Sequence, residues 1–154
     1  MSALADVQDF LAQKRLAIVG VSRQPKDFSR MLYREFIKNG YEVVAVNPQA
    51  AEVEGQPCFP NLQAVQPPVD TVLLMTSPTV TEETVHDCAQ LGVRRVWMYR
   101  AGGAGAVSDR AVEFCRSNGI AVVPGECPMM FLKQSPWFHQ IHAWIKKIGG
   151  SYPR

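Results

Sequence analysis

The feature that most constrains this chain is a set of short apolar runs with almost no hydrophobic alternation. They are "LAIVGV" (16–21), "EVVAVN" (42–47), "DTVLLM" (70–75) and "IAVVP" (120–124), with a fifth, "RRVWMY", ending at Tyr99. A strand wetted on one face alternates apolar and polar residues, whereas an unbroken Val/Ile/Leu run is covered on both faces, as in a parallel sheet. Helix-length segments lie between the runs, and three of them close on glycine. Segment 29–39 stops at Gly40, 79–91 at Gly92 and 108–118 at Gly119, each a residue able to take the left-handed position that ends a helix. Strand and helix in alternation imply right-handed crossovers. The fold class predicted is α/β: three layers, an open parallel sheet of five strands with helices on both faces.

The remaining segments fit around that frame. Residues 2–13 read as a leading helix with Leu4, Val7, Phe10 and Leu11 on one face. Segment 54–70 reads as a connection holding only a short helical turn near 62–65, because Pro57, Pro60, Pro67 and Pro68 forbid a longer one. Beyond the fifth run, Ser135 and Pro136 suit a helix start, and Trp137, Ile141, Trp144, Ile145 and Ile148 form one stripe. This C-terminal helix, 136–148, either packs on the chain's own sheet or meets a homodimer or protein partner. At 154 residues the chain is predicted to be a single domain over 1–154.

Composition narrows the function classes. A net charge of +2 with scattered Lys and Arg does not make a nucleic-acid footprint. Cys58, Cys88, Cys115 and Cys127 lack C-x-x-C spacing, so reduced thiols are expected in place of zinc ligands or disulfides. No apolar run approaches the roughly 20 residues that span a bilayer, and the polar N-terminus does not read as a signal peptide, so a soluble cytoplasmic protein is expected.

In an open parallel sheet, ligands bind beyond the carboxyl ends of the strands. The loop after the first run, "GVSRQPKDFS", suits an anion: Gly20 permits close backbone approach, Ser22 offers a hydroxyl, Arg23 and Lys26 offer charge, and Ser29 stands near the start of the next helix. It is not the G-x-G-x-x-G of dinucleotide sites, since Ser22 stands at the second glycine. The ribose-binding acid expected after the second strand is replaced by Asn47 and Pro48. Both departures weigh against a nicotinamide cofactor.

The ordered segments "IVGVSRQPKDFSRMLYREFIKNGYEVVAVNPQAAEVEGQPCFPNLQAV", "VDTVLLMTSP", "GVRRVWM" and "GIAVVPGECPMM" resemble the small single-domain CoA-binding proteins. These are similar to the CoA-binding, Rossmann-type domain of the succinyl-CoA synthetase alpha subunit. The resemblance runs from about residue 15 to 130. It implies coenzyme A as the cofactor, with Gly20, Val21, Ser22, Arg23, Lys26 and Ser29 around phosphates. It puts Asn47 and Pro48 beside the adenosine and Thr76, Ser77 and Pro78 on the other side of the cofactor, and Met98 completes the cofactor-binding set. This chain departs from the family at Tyr99, at the glycine-rich loop 101–106, and after Cys127 and Pro128, so the pantetheine end is the part the resemblance carries least far.

No catalytic residue is assigned. His86, His139 and His142 do not match the synthetase's phosphorylated histidine, and Glu82, Glu83, Asp109 and Glu126 form no evident acid/base pair. The expected function is therefore a non-catalytic CoA or acyl-CoA sensor, carrier or regulatory module. The alternatives are a small enzyme acting on CoA with help from Cys127 or a partner chain, and an NAD(P) or nucleotide sensor.

Overall fold

The computed structural model describes residues 4–101 and 103–132. The predicted helix 136–148 lies outside them. The elements in chain order are α1 (Leu4–Leu11), β1 (Arg15–Val19), α2 (Phe28–Lys38), β2 (Glu42–Val46), β3 (Glu52–Val53), β4 (Gln56–Phe59), β5 (Thr71–Leu74), α3 (Pro78–Gln90), β6 (Arg95–Met98), α4 (Asp109–Ser117) and β7 (Ala121–Pro124).

These strands form one sheet in the order β3-β4-β2-β1-β5-β6-β7. The five apolar runs become its five central and right-hand strands, all parallel, with Ala17 opposite Val44 on one side and Val72 on the other. The predicted count of five was too low, because β3, just before the proline-rich segment, and β4, within it, add two more strands. β4 pairs parallel to β2 through Ala45 with Cys58 and Val46 with Phe59, and β3 pairs antiparallel to β4. Pro57 is tolerated because it lies outside the two residues that pair with β2 and faces the two-residue edge strand, where a missing N–H costs little. The expected helical turn in this segment is a single 3-10 turn, Leu62–Ala64.

Side-chain alternation along each strand feeds two cores. Leu16, Ile18, Ala45, Leu73, Trp97 and Val123 pack under α1 and α2 against Val7, Phe10, Leu32 and Phe36. Ala17, Val19, Val46, Val72, Leu74, Val96 and Met98 pack under α3 and α4 against Val85, Cys88, Ala111 and Cys115. Beyond their first residues, β1, β2, β5, β6 and β7 are apolar at every position because consecutive residues enter different cores. The helix stops fall as predicted, with Gly40, Gly92 and Gly119 all at positive φ.

Candidate functional site

The chain runs from β1 to its neighbour β2 on one side, and later returns to place β5 on β1's other side. The strand order therefore reverses between β1 and β5, and the crevice beyond their carboxyl ends is the place where this fold takes ligands. Gly20 sits there at φ +99°, so close to the loop after β5 that a Cβ would come 2.5 Å from the Met75 carbonyl oxygen. Only glycine combines that backbone angle with that approach. A cleft of about 280 Å³ opens beside it, lined among others by Gly20, Phe28, Ser29, Thr76, Tyr99 and Ala106.

The loop leading from Gly20 into α2 is organised by its own polar groups. Asp27 caps the helix, accepting from the Ser29 amide at 2.9 Å and the Ser29 hydroxyl at 2.6 Å. Ser29 Oγ in turn accepts from the Ser22 amide at 2.8 Å, and Ser22 Oγ accepts from the Gln24 amide at 3.0 Å. Ser29 is buried within the first turn of α2. Its hydroxyl donates to Asp27 and so shapes the loop. Ser22 Oγ retains its proton for donation. Arg23 and Lys26 are exposed on the crest.

Two arginines of α2 hold this loop from behind. Arg30, only 8% exposed, donates to the carbonyl oxygens of Ser22 at 3.2 Å and Arg23 at 3.3 Å. Its Nε and Nη2 reach Glu54 Oε2 at 3.0 and 2.6 Å. Arg34 donates to the same oxygen at 2.7 Å and to the Pro25 carbonyl at 3.2 Å. Glu54 stands at φ +53° in the two-residue turn between β3 and β4. The hydrogen bond from Arg30 leads the effects that hold its carboxyl below the usual glutamate range.

The other predicted residues divide between the crevice and the core. Asn47 donates from Nδ2 to the Val21 carbonyl at 2.7 Å and accepts from the Gln49 amide at 2.8 Å, tying the end of β2 to the loop after β1. Pro48 is exposed beside it. Thr76 lines the cleft and shares a hydrogen bond of 2.7 Å with Thr81, while Ser77 caps α3 by accepting from the Val80 amide and Pro78 takes the first helical position. Val21 and Met98 are fully buried. Met98 is a core side chain of the α3 and α4 face.

Tyr99 closes the right side of the cleft, its ring 5.5 Å from that of Phe28 across the carboxyl ends of the strands. Burial, with the adjacent Cys127 thiol adding to it, pushes its phenol up to about 12. Cys127 is buried at this edge. Cys88 and Cys115 are fully buried beneath α3 and α4, and burial pushes both thiols up to about 12, which leaves them inert at neutral pH.

Sequence reading therefore found the loop and its cations but missed Asp27, Arg30, Arg34 and Glu54. The i, i+4 spacing of Arg30 and Arg34 on a helix that follows an anion-type loop was the available signal, since such residues share one face. Glu54 carried none, being distant in sequence from everything it contacts.

A family profile described as a CoA binding domain matches residues 14–133. The chain is similar to the uncharacterized protein YneT of Bacillus subtilis, 27% identical over 80% of this chain and 89% of that one. It is also similar to acetate–CoA ligase [ADP-forming] II of Archaeoglobus fulgidus, 24% identical over 77% of this chain but only 19% of the ligase. A hypothetical protein from Pyrococcus horikoshii superposes with a TM-score of 0.74 at 26% identity, over 81% of this chain and 86% of that one.

Proposed function

Because the chain belongs to the CoA binding domain family, we propose that it binds coenzyme A or an acyl-CoA in the crevice between β1 and β5, as a sensor, carrier or regulatory module that performs no reaction on it. The observation that carries the reading is the pairing of Arg23 and Lys26, exposed on the loop crest at the strand-order switch, with Asn47 at the end of β2. CoA carries a diphosphate and a 3′-phosphate, so its site needs cations and no ribose-binding carboxylate. An acid at position 47 would repel the 3′-phosphate, whereas the amide present is already tied to the Val21 carbonyl. The chain spans about a fifth of the Archaeoglobus ligase, and the reading assigns to it the holding of the carrier, with the acid-to-thiol ligation named for that relative left to the ligase.

The fit has a physical basis in the residues present. The backbone at Gly20 leaves room for close approach, two cations meet the phosphates, and Phe28, Tyr99 and Ala106 give the cleft an apolar side for the pantetheine arm. A thermal-shift panel of CoA, acetyl-CoA, NAD and NADP tests it. A ligand at 100 times its dissociation constant adds about 2.7 kcal/mol of stability, and the expected shift is with the CoA forms. A shift with NAD or NADP alone contradicts the proposal. The Arg23→Ala, Lys26→Ala double variant should lose most of the CoA response while keeping the melting temperature of the free chain, because both side chains are exposed.

A further inference from the structure

The Glu54, Arg30 and Arg34 cluster lies outside the crevice, yet every side-chain hydrogen bond it makes beyond itself falls on the backbone of the crevice loop. Arg30 takes the carbonyls of Ser22 and Arg23, and Arg34 takes the carbonyl of Pro25. The peptide bonds concerned are trans, the one cis bond among the described residues being Gln66–Pro67. In a trans peptide the carbonyl of one residue and the N–H of the next point to opposite sides. Pulling the Ser22 and Pro25 carbonyls toward the arginines therefore turns the Arg23 and Lys26 amides away from them. Neither amide has a hydrogen-bond partner among the described residues, although the Gln24 amide between them bonds to Ser22 Oγ.

Resting on the CoA reading above, we infer that Glu54 is a positioning residue for anion binding. Through Arg30 and Arg34 it fixes the loop so that the backbone N–H groups of Arg23 and Lys26 face the ligand's phosphates together with the two side-chain cations. The same cluster is only partly neutralised, one carboxylate against two guanidinium groups, and so adds a single net positive charge behind the loop. The helix start offers little in its place. Asp27 already occupies it with a carboxylate, so the loop crest is the anion-seeking part of this segment. Part of the phosphate recognition then resides in donors that alanine substitution at Arg23 and Lys26 does not remove. Glu54 reaches them from the turn of the β3 and β4 hairpin, whose Phe59 carbonyl also accepts from the Asn47 amide at 2.9 Å.

The test is a titration of the uniformly 15N-labelled full chain with CoA, following the Arg23 and Lys26 amide resonances and the dissociation constant together. The wild type should show both amides moving downfield and saturating with the binding curve. Glu54→Ala should weaken CoA at least tenfold and abolish the concerted amide shifts, while Glu54→Gln, which keeps an acceptor on the same stem, should recover most of the affinity. Arg34→Met guards against a loss of folding in Glu54→Ala, because Arg34 is half exposed; it should diminish the Lys26 shift and leave the Arg23 shift. CoA binding that moves neither amide, or wild-type affinity in folded Glu54→Ala, overturns the inference and leaves the CoA reading standing. Absence of CoA binding by the wild-type chain overturns both.

Discussion

Asp27 is the residue at which helix capping and anion binding pull in opposite directions. Its carboxylate satisfies the first turn of α2 through the Ser29 amide and hydroxyl, and it places a negative charge on the cleft wall. Asp27→Asn keeps a capping oxygen of comparable quality and removes the charge. Calorimetry should find CoA bound about threefold to tenfold more tightly, the size of one screened charge contact, and weaker binding would mean that the carboxylate supports the ligand. Gly20 makes the opposite case, a residue whose side chain must be absent. Gly20→Ala meets both a positive φ and the Met75 carbonyl, and urea unfolding should show a loss of roughly 1–3 kcal/mol. The loop's residue types were legible in sequence because Gly20, Ser22, Arg23 and Lys26 advertise their chemistry. The partner of the Ser29 hydroxyl was not legible, because residue type does not reveal partner: it donates to Asp27, two residues away.

At the scale of elements, the strands buried on both faces were readable, since such burial forbids polar alternation. The edge was not. β3 and β4 together span six residues, one of them Pro57, and their pairing depends on a turn at Glu54 and Gly55 without the usual Asn or Asp. That turn carries the carboxylate on which the loop depends. Because its pKa is depressed in the folded chain, the stabilisation it brings is present above the ordinary glutamate value of 4.5 and is lost as pH falls through the lower folded value. Carbon-13 titration of the Glu54 carboxyl should give a midpoint below 4.5; a midpoint at or above it would mean that the arginine contacts do not persist in solution. The element α1 offers a separate check on packing. Phe10 is buried with its ring edge-on to Trp97 at 5.2 Å, so Phe10→Ala should cost about 3–5 kcal/mol. A cost below 1 kcal/mol would show that α1 does not dock on the sheet as described.

Across the whole molecule, two cores on either side of one sheet leave the carboxyl ends of β1, β5 and β6 as the common edge where polar loops converge. Three separate devices shape that edge: Gly20 lets the β1 and β5 loops touch, Asn47 ties the β2 end to Val21, and the Glu54 cluster braces the crest from the far hairpin. Strand order and loop chemistry point to the same crevice, because an open parallel sheet takes ligands beyond the carboxyl ends of its strands. The long-range brace escaped because its parts are 20 to 24 residues apart and two of them read as ordinary helix surface. Among the described residues no helix is long and apolar enough to cross a membrane. The central claim, that this edge holds coenzyme A, is tested most directly by isothermal titration of the full chain with CoA beside NADP at equal salt. The account predicts one saturable CoA site per chain, tighter than NADP by at least tenfold and weakened by rising ionic strength. Tighter binding of NADP, or no heat with CoA at any accessible concentration, would contradict it.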